Sequence, residues 1–163
     1  MGQGMMIVAF LMALGLLTLF FANVEDQQRN PNQAPDSILQ GNLIEVVLQR
    51  NRQGHYLVVG QINGQDAEFL LDTGATDVVI PEGLAMSLGL QKGRSGRAMT
   101  ANGAVTVYDT RIAQLSIGDI RLTNVNASIN PGMRNQEILL GMSALKQIEF
   151  IQRGSQLTLR QIN

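Results

Sequence analysis

The stretch Phe69-Leu70-Leu71-Asp72-Thr73-Gly74-Ala75-Thr76 decides how the rest of this chain is read. An apolar run carries an acid straight into a tight turn. A strand of that composition holds the Asp72 carboxylate near the interior, Gly74 lets the backbone approach closely, and the Thr73 hydroxyl can lock the turn by hydrogen bonds. Immediately upstream, Tyr56–Ile62 and Gln65–Leu71 are β-rich runs joined by Asn63-Gly64, the favoured two-residue hairpin turn. Downstream, Val78-Val79-Ile80 is a further short strand. The acid thus stands at the end of the second strand of a hairpin. Taken alone, the same pattern also describes a polar turn closing a strand.

The strand pattern continues in both directions. Asn42–Gln49 is β-branched and apolar, and Arg50–Gly54 is a turn-like cluster between it and His55–Ile62. Ala98–Ala101 and Ala104–Thr110 flank Asn102-Gly103 as a second hairpin. Arg111–Ser116, Asp119–Thr123, Val125–Ile129 and Glu137–Leu140 read as separate strands, and Glu149–Gln152 with Gln156–Arg160 closes the chain as a hairpin over Arg153-Gly154. Helical signals are confined to Pro81–Leu90, where Leu84 and Leu88 share a face and Gly89 suits the stop, and to Ser143–Gln147. The expected domain is mostly β with two short helices.

Composition removes whole classes of chemistry. The 163 residues hold 12 Lys+Arg and 13 Asp+Glu, a formal net charge of -1, without the basic surplus of a nucleic-acid binder. With no Cys, disulfides, thiolate nucleophiles and Cys-based metal sites are excluded. The single His, His55, rules out a two- or three-His metal site within one chain. A Ser-His-Asp triad could be built only around His55, and no G-x-S-x-G accompanies it. Neither a metal nor a cofactor is expected.

Residues 5–22, MMIVAFLMALGLLTLFFA, carry no charge. At 1.5 Å per residue they reach about 27 Å, enough to cross a bilayer core of about 30 Å. No basic residue precedes the run and Phe20-Phe21-Ala22 is a poor cleavage site, so a transmembrane anchor is expected over a cleaved signal. Residues 23–40, with Pro31, Pro35 and many amides, read as a flexible tether, and the folded domain is expected over 41–163. Orientation has little to rest on. Arg29 alone lies close to the span and weakly favours the inside, whereas an N-terminal span ahead of a globular domain more often exports it.

Over about residues 45 to 160 the chain resembles the retroviral-type (retropepsin-like) aspartic proteases, specifically their bacterial membrane-anchored members. The family's catalytic motif, two hydrophobic residues followed by Asp, Thr or Ser, Gly, and Ala or Ser, matches Leu70-Leu71-Asp72-Thr73-Gly74-Ala75. Its second marker, hydrophobic residues and a Gly before a helix, matches Ile138-Leu139-Leu140-Gly141 ahead of 142–147. A flap hairpin lies between the two markers in the family, and Thr100–Val105, with Ala101, Asn102 and Gly103 at its tip, falls in that interval. The resemblance implies a closed or partly open acid-protease barrel. It implies Asp72 as the catalytic residue, Thr73, Gly74 and Ala75 as support for its loop, and Gly141 beside that loop where a side chain would collide. It also implies a bacterial inner-membrane protein, and the export habit of N-terminal spans puts the domain on the periplasmic side.

Peptide hydrolysis without a covalent intermediate needs one carboxylate to activate water and one carboxylic acid to protonate the carbonyl. Two such groups held close share one proton, since like charges at that distance do not both ionise. The chain has one D-T-G: Asp109-Thr110 runs into Arg111, and Asp66 and Asp77 lack the strand-into-Gly setting. A two-fold homodimer with Asp72 from each chain is therefore expected, acting on an extended peptide or protein substrate. The competing expectation is a module of the same fold that binds extended polypeptide or assembles a membrane complex without chemistry.

Overall fold

A computed structural model describes residues 2–100 and 103–162. In chain order the elements are helix α1 (Gly2–Arg29), strands β1 (Ser37–Gln40), β2 (Leu43–Gln49), β3 (Leu57–Ile62), β4 (Gln65–Leu71) and β5 (Val78–Pro81), helix α2 (Glu82–Ala85), strands β6 (Ser95–Thr100), β7 (Gly103–Ile117), β8 (Ile120–Asn130) and β9 (Ile138–Leu140), helix α3 (Met142–Leu145), and strands β10 (Glu149–Arg153) and β11 (Gln156–Ile162). The domain is mostly β, with the two short helices where composition put them, each trimmed to a single turn.

Two sheets form. Seven strands run in the order β3-β4-β9-β5-β8-β7-β6, and β3 pairs back onto β7 at Gln61↔Ser116 and Ile62↔Leu115. That pairing joins six strands into a barrel and leaves β6 outside the ring, as the outer strand of a hairpin with β7. The seam requires Gly60: a Cβ there would run into the Ser116 carbonyl and lie 3.0 Å from the Phe69 ring. Phe69, Ile80, Ile112, Leu115, Ile138 and Leu140 fill the interior and are fully buried. The second sheet, β1-β2-β11-β10, is antiparallel throughout.

The hairpin over Asn63-Gly64 forms as expected, Leu57↔Leu70 to Ile62↔Gln65. Strand β2 lies between β1 and β11, so the Arg50–Gly54 cluster is a crossing between sheets. Two expectations differ. First, the strands expected over 104–129 are two long ones, β7 and β8. No Gly or Pro interrupts β7 after Gly103, and Asn124, at φ 54°, drops out of the β7–β8 ladder without shifting its register or ending β8. Second, the structure divides residues 23–40 differently from a flexible tether. Helix α1 runs on past Ala22 to Arg29, Asn30 and Asn32 are buried in the domain, and β1 starts at Ser37. The cause is local: the Glu, Asp and Gln of 25–28 are compatible with helix, and the Asn side chains find partners in the sheets. Helix α1 is long and apolar enough to cross a membrane, and its apolar residues are exposed.

Candidate active site

The parallel pair β4–β9 builds the site. Phe69↔Ile138, Leu70↔Leu139 and Leu71↔Leu140 are in register, so both strands end at the same level, one on Asp72 and the other on Gly141. The Asp72 N–H donates to the Leu140 carbonyl at 3.2 Å, which carries the pairing one residue further. The chain then turns. The Gly74 N–H donates to Asp72 Oδ1 at 2.9 Å, and the Ala75 N–H to the Asp72 carbonyl at 3.2 Å. Oδ2 has no hydrogen-bond partner among the described residues. Asp72 is half-buried, whereas Thr73 and Gly74 are exposed at the turn. One carboxylate oxygen is thus fixed by the loop and the other is left without a partner among the described residues.

The segment after β9 wraps this turn. The Met142 N–H donates to the Ala75 carbonyl and the Ser143 N–H to the Thr76 carbonyl, each at 2.9 Å. Gly141 has no space for a side chain: a Cβ would collide with the Asp77 carbonyl and lie 2.7 Å from that of Ala75. Buried Ser143, which sequence reasoning passed over, ties the arrangement further. Its Oγ accepts from the Val78 N–H at 3.0 Å and donates to the Asn126 carbonyl at 2.7 Å, so α3 is bonded to both β5 and β8. A polar residue just after a Gly at a strand end was the available signal.

A cleft of about 820 Å³ opens between residues 89–94 and strands β7 and β8, lined by Asp77, Lys92, Arg94, Asp109, Arg111 and Asn126 among others; Asp72, Thr73 and Gly74 are not among its lining residues. Lys92 donates to Glu82 and stands 4.5 Å over the Tyr108 ring. The hydrogen bond to Glu82 holds the Lys92 ammonium above its ordinary range, and the Glu82 charge adds to that. Asp109 faces this cleft from β7, away from any strand-into-Gly turn, and Asp66 accepts from Gln61 on the hairpin. His55 is exposed, its backbone N–H bonded to Asn51. Of the flap residues, Gly103 opens β7, while Ala101 and Asn102 lie outside the described residues. No group of three His, Cys, Asp or Glu suited to a metal occurs among the described residues.

Comparison with known proteins agrees with this geometry. Residues 58–147 match the family described as "gag-polyprotein putative aspartyl protease". A Sinorhizobium protein named "uncharacterized protein in cobV 5'region" is 33% identical over 120 residues, 71% of this chain and 52% of that protein. The Rickettsia prowazekii protein named "uncharacterized protein RP867" is 30% identical over 109 residues, 64% of this chain and 46% of its own length. The chain thus spans about half the length of these curated relatives. Among solved structures, a retropepsin-like aspartic protease from Rickettsia conorii superposes with a TM-score of 0.63 at 23% identity, covering 76% of this chain and 95% of that one, so the fold is retropepsin-like.

Proposed function

Because the chain belongs to the aspartyl protease family of gag polyproteins, we propose that it is an aspartic endopeptidase whose active form is a homodimer, with Asp72 supplied by each subunit. One carboxylate takes a proton from a water molecule as the water oxygen attacks the peptide carbonyl carbon. The protonated carboxyl of the partner gives its proton to the carbonyl oxygen. The resulting diol collapses, the C–N bond breaks and the leaving amine takes up a proton. Thr73, Gly74 and Ala75 hold the loop, Gly141 lets the β9 end pass beside it, and the hairpin carrying Gly103 covers the substrate. Residues 5–22 hold the enzyme in a bacterial inner membrane with the domain on the periplasmic side. Confinement to a plane raises the effective concentration of the monomers and favours pairing.

The observation that carries this reading is the Asp72 carboxylate at the end of β4, with one oxygen bonded to Gly74 and the other without a partner among the described residues. The test is cleavage of an unfolded protein by the full chain and by Asp72→Asn. Activity with an acidic optimum is expected in the first, blocked by a hydroxyl-bearing transition-state peptide mimic, and none in the second. Equal cleavage by both removes Asp72 from the chemistry. Peptide binding without cleavage by either favours the non-enzymatic module.

A further inference from the structure

Glu68, in β4, and Glu137, directly ahead of β9, each stand one residue before the Phe69↔Ile138 pair. Their side chains are only 15% and 25% exposed. Two carboxylates so placed repel one another and push apart the chain segments that carry them. A single guanidinium lies on both. Arg29 Nη2 donates to Glu68 Oε1 and Oε2 at 3.0 and 2.8 Å, and Nη1 donates to Glu137 Oε1 at 2.9 Å.

Arg29 is the last residue of α1, and the chain around it is fastened to the domain. Asn51 Nδ2 donates to the Arg29 carbonyl, and Asn30 Nδ2 to Glu68 Oε1. Asn32 accepts from the Gln49 N–H through Oδ1 and donates through Nδ2 to the Gln49 and Leu57 carbonyls, so one carboxamide joins β2 of one sheet to β3 of the other. The helix therefore does not hang from the domain by a free linker. It ends in a cation seated on the two strands whose far ends are Asp72 and Gly141, four residues or about 13 Å further along.

We infer that Arg29 is a positioning residue for the site: by bridging Glu68 and Glu137 and offsetting their repulsion it keeps β4 and β9 paired, and it makes the end of the apolar helix part of the scaffold that sets Asp72 against Gly141. The inference rests on the reading of Asp72 as catalytic for its activity readout, and on the strand pairing alone for its structural one. An exposed ion pair adds little by itself. Here the cation bridges two partly buried carboxylates on adjoining chain segments, and its removal leaves their repulsion uncompensated.

The test uses the full chain in lipid nanodiscs, as parent, Arg29→Met, Arg29→Met with Glu137→Gln, and Arg52→Met. Among the described residues Arg52 bonds only Gln28, at the same joint, and serves as the control. Protein cleavage is measured beside amide hydrogen exchange in peptides covering 69–75 and 138–145. In Arg29→Met, exchange in both peptides rises and kcat falls by about tenfold with little change in KM. Adding Glu137→Gln restores most of both, and Arg52→Met matches the parent. Unchanged exchange or unchanged kcat in Arg29→Met overturns the inference, as does a double variant no better than the single one. If the parent cleaves nothing while exchange rises and is rescued as stated, the clamp stands and the proposed activity fails.

Discussion

At the scale of single residues, the site depends on backbone proximity as much as on the acid. Gly141 occupies space bounded by the Asp77 and Ala75 carbonyls. Gly141→Ala is expected to destabilise the domain by about 2–4 kcal/mol, measured by urea unfolding, because backbone on both sides has to move. Ser143→Ala removes a hydroxyl that bonds Val78 and Asn126 and leaves a buried N–H without its acceptor. The expected loss is about 1–3 kcal/mol. Asp72 and Gly141 were legible because the strand-into-turn and strand-into-Gly patterns are local and consecutive in sequence. Ser143, Asn32 and Arg29 were not. Their partners lie 17 to 108 residues away, and nothing in an isolated Ser, Asn or Arg announces which distant group it will meet.

At the scale of elements, tight turns and strand composition located almost every hairpin, while partnership between sheets stayed hidden. The turn-like cluster between Asn42–Gln49 and His55–Ile62 does not reveal that the two runs enter different sheets, β2 between β1 and β11. Register-level closure of the barrel, β3 against β7, rests on the absent side chain of Gly60, which reads in sequence as an ordinary strand glycine. The boundary set at Gly41 missed the contribution of residues before it. A soluble fragment beginning at residue 41 lacks β1 and the Asn32 stitch, whereas one beginning at residue 24 retains both. The shorter fragment is expected to be less stable by about 3 kcal/mol or more, seen as a lower urea midpoint. Equal midpoints would show that residues 24–40 add nothing to the fold.

At the scale of the whole molecule, the proposed chemistry requires two chains, and mixing tests that directly. With equal amounts of parent and Asp72→Asn combined before assembly, cleavage is expected at about half of what the same parent gives alone, because only parent–parent pairs carry two acids. Undiminished activity means that one chain suffices. The strand β11 bears on how such pairs form. It is already bonded on both edges within its own chain, to β2 and to β10, so exchange of this strand between subunits would first break an existing ladder. It also bears on biosynthesis. About a hundred residues separate Gln49 from Gln156, and at about 5–20 residues per second the ribosome needs roughly 5–20 s to make them. Throughout that interval one flank of β2 offers bare amides and carbonyls to any passing extended polypeptide, which makes the nascent chain, rather than the finished one, the form most in need of a chaperone.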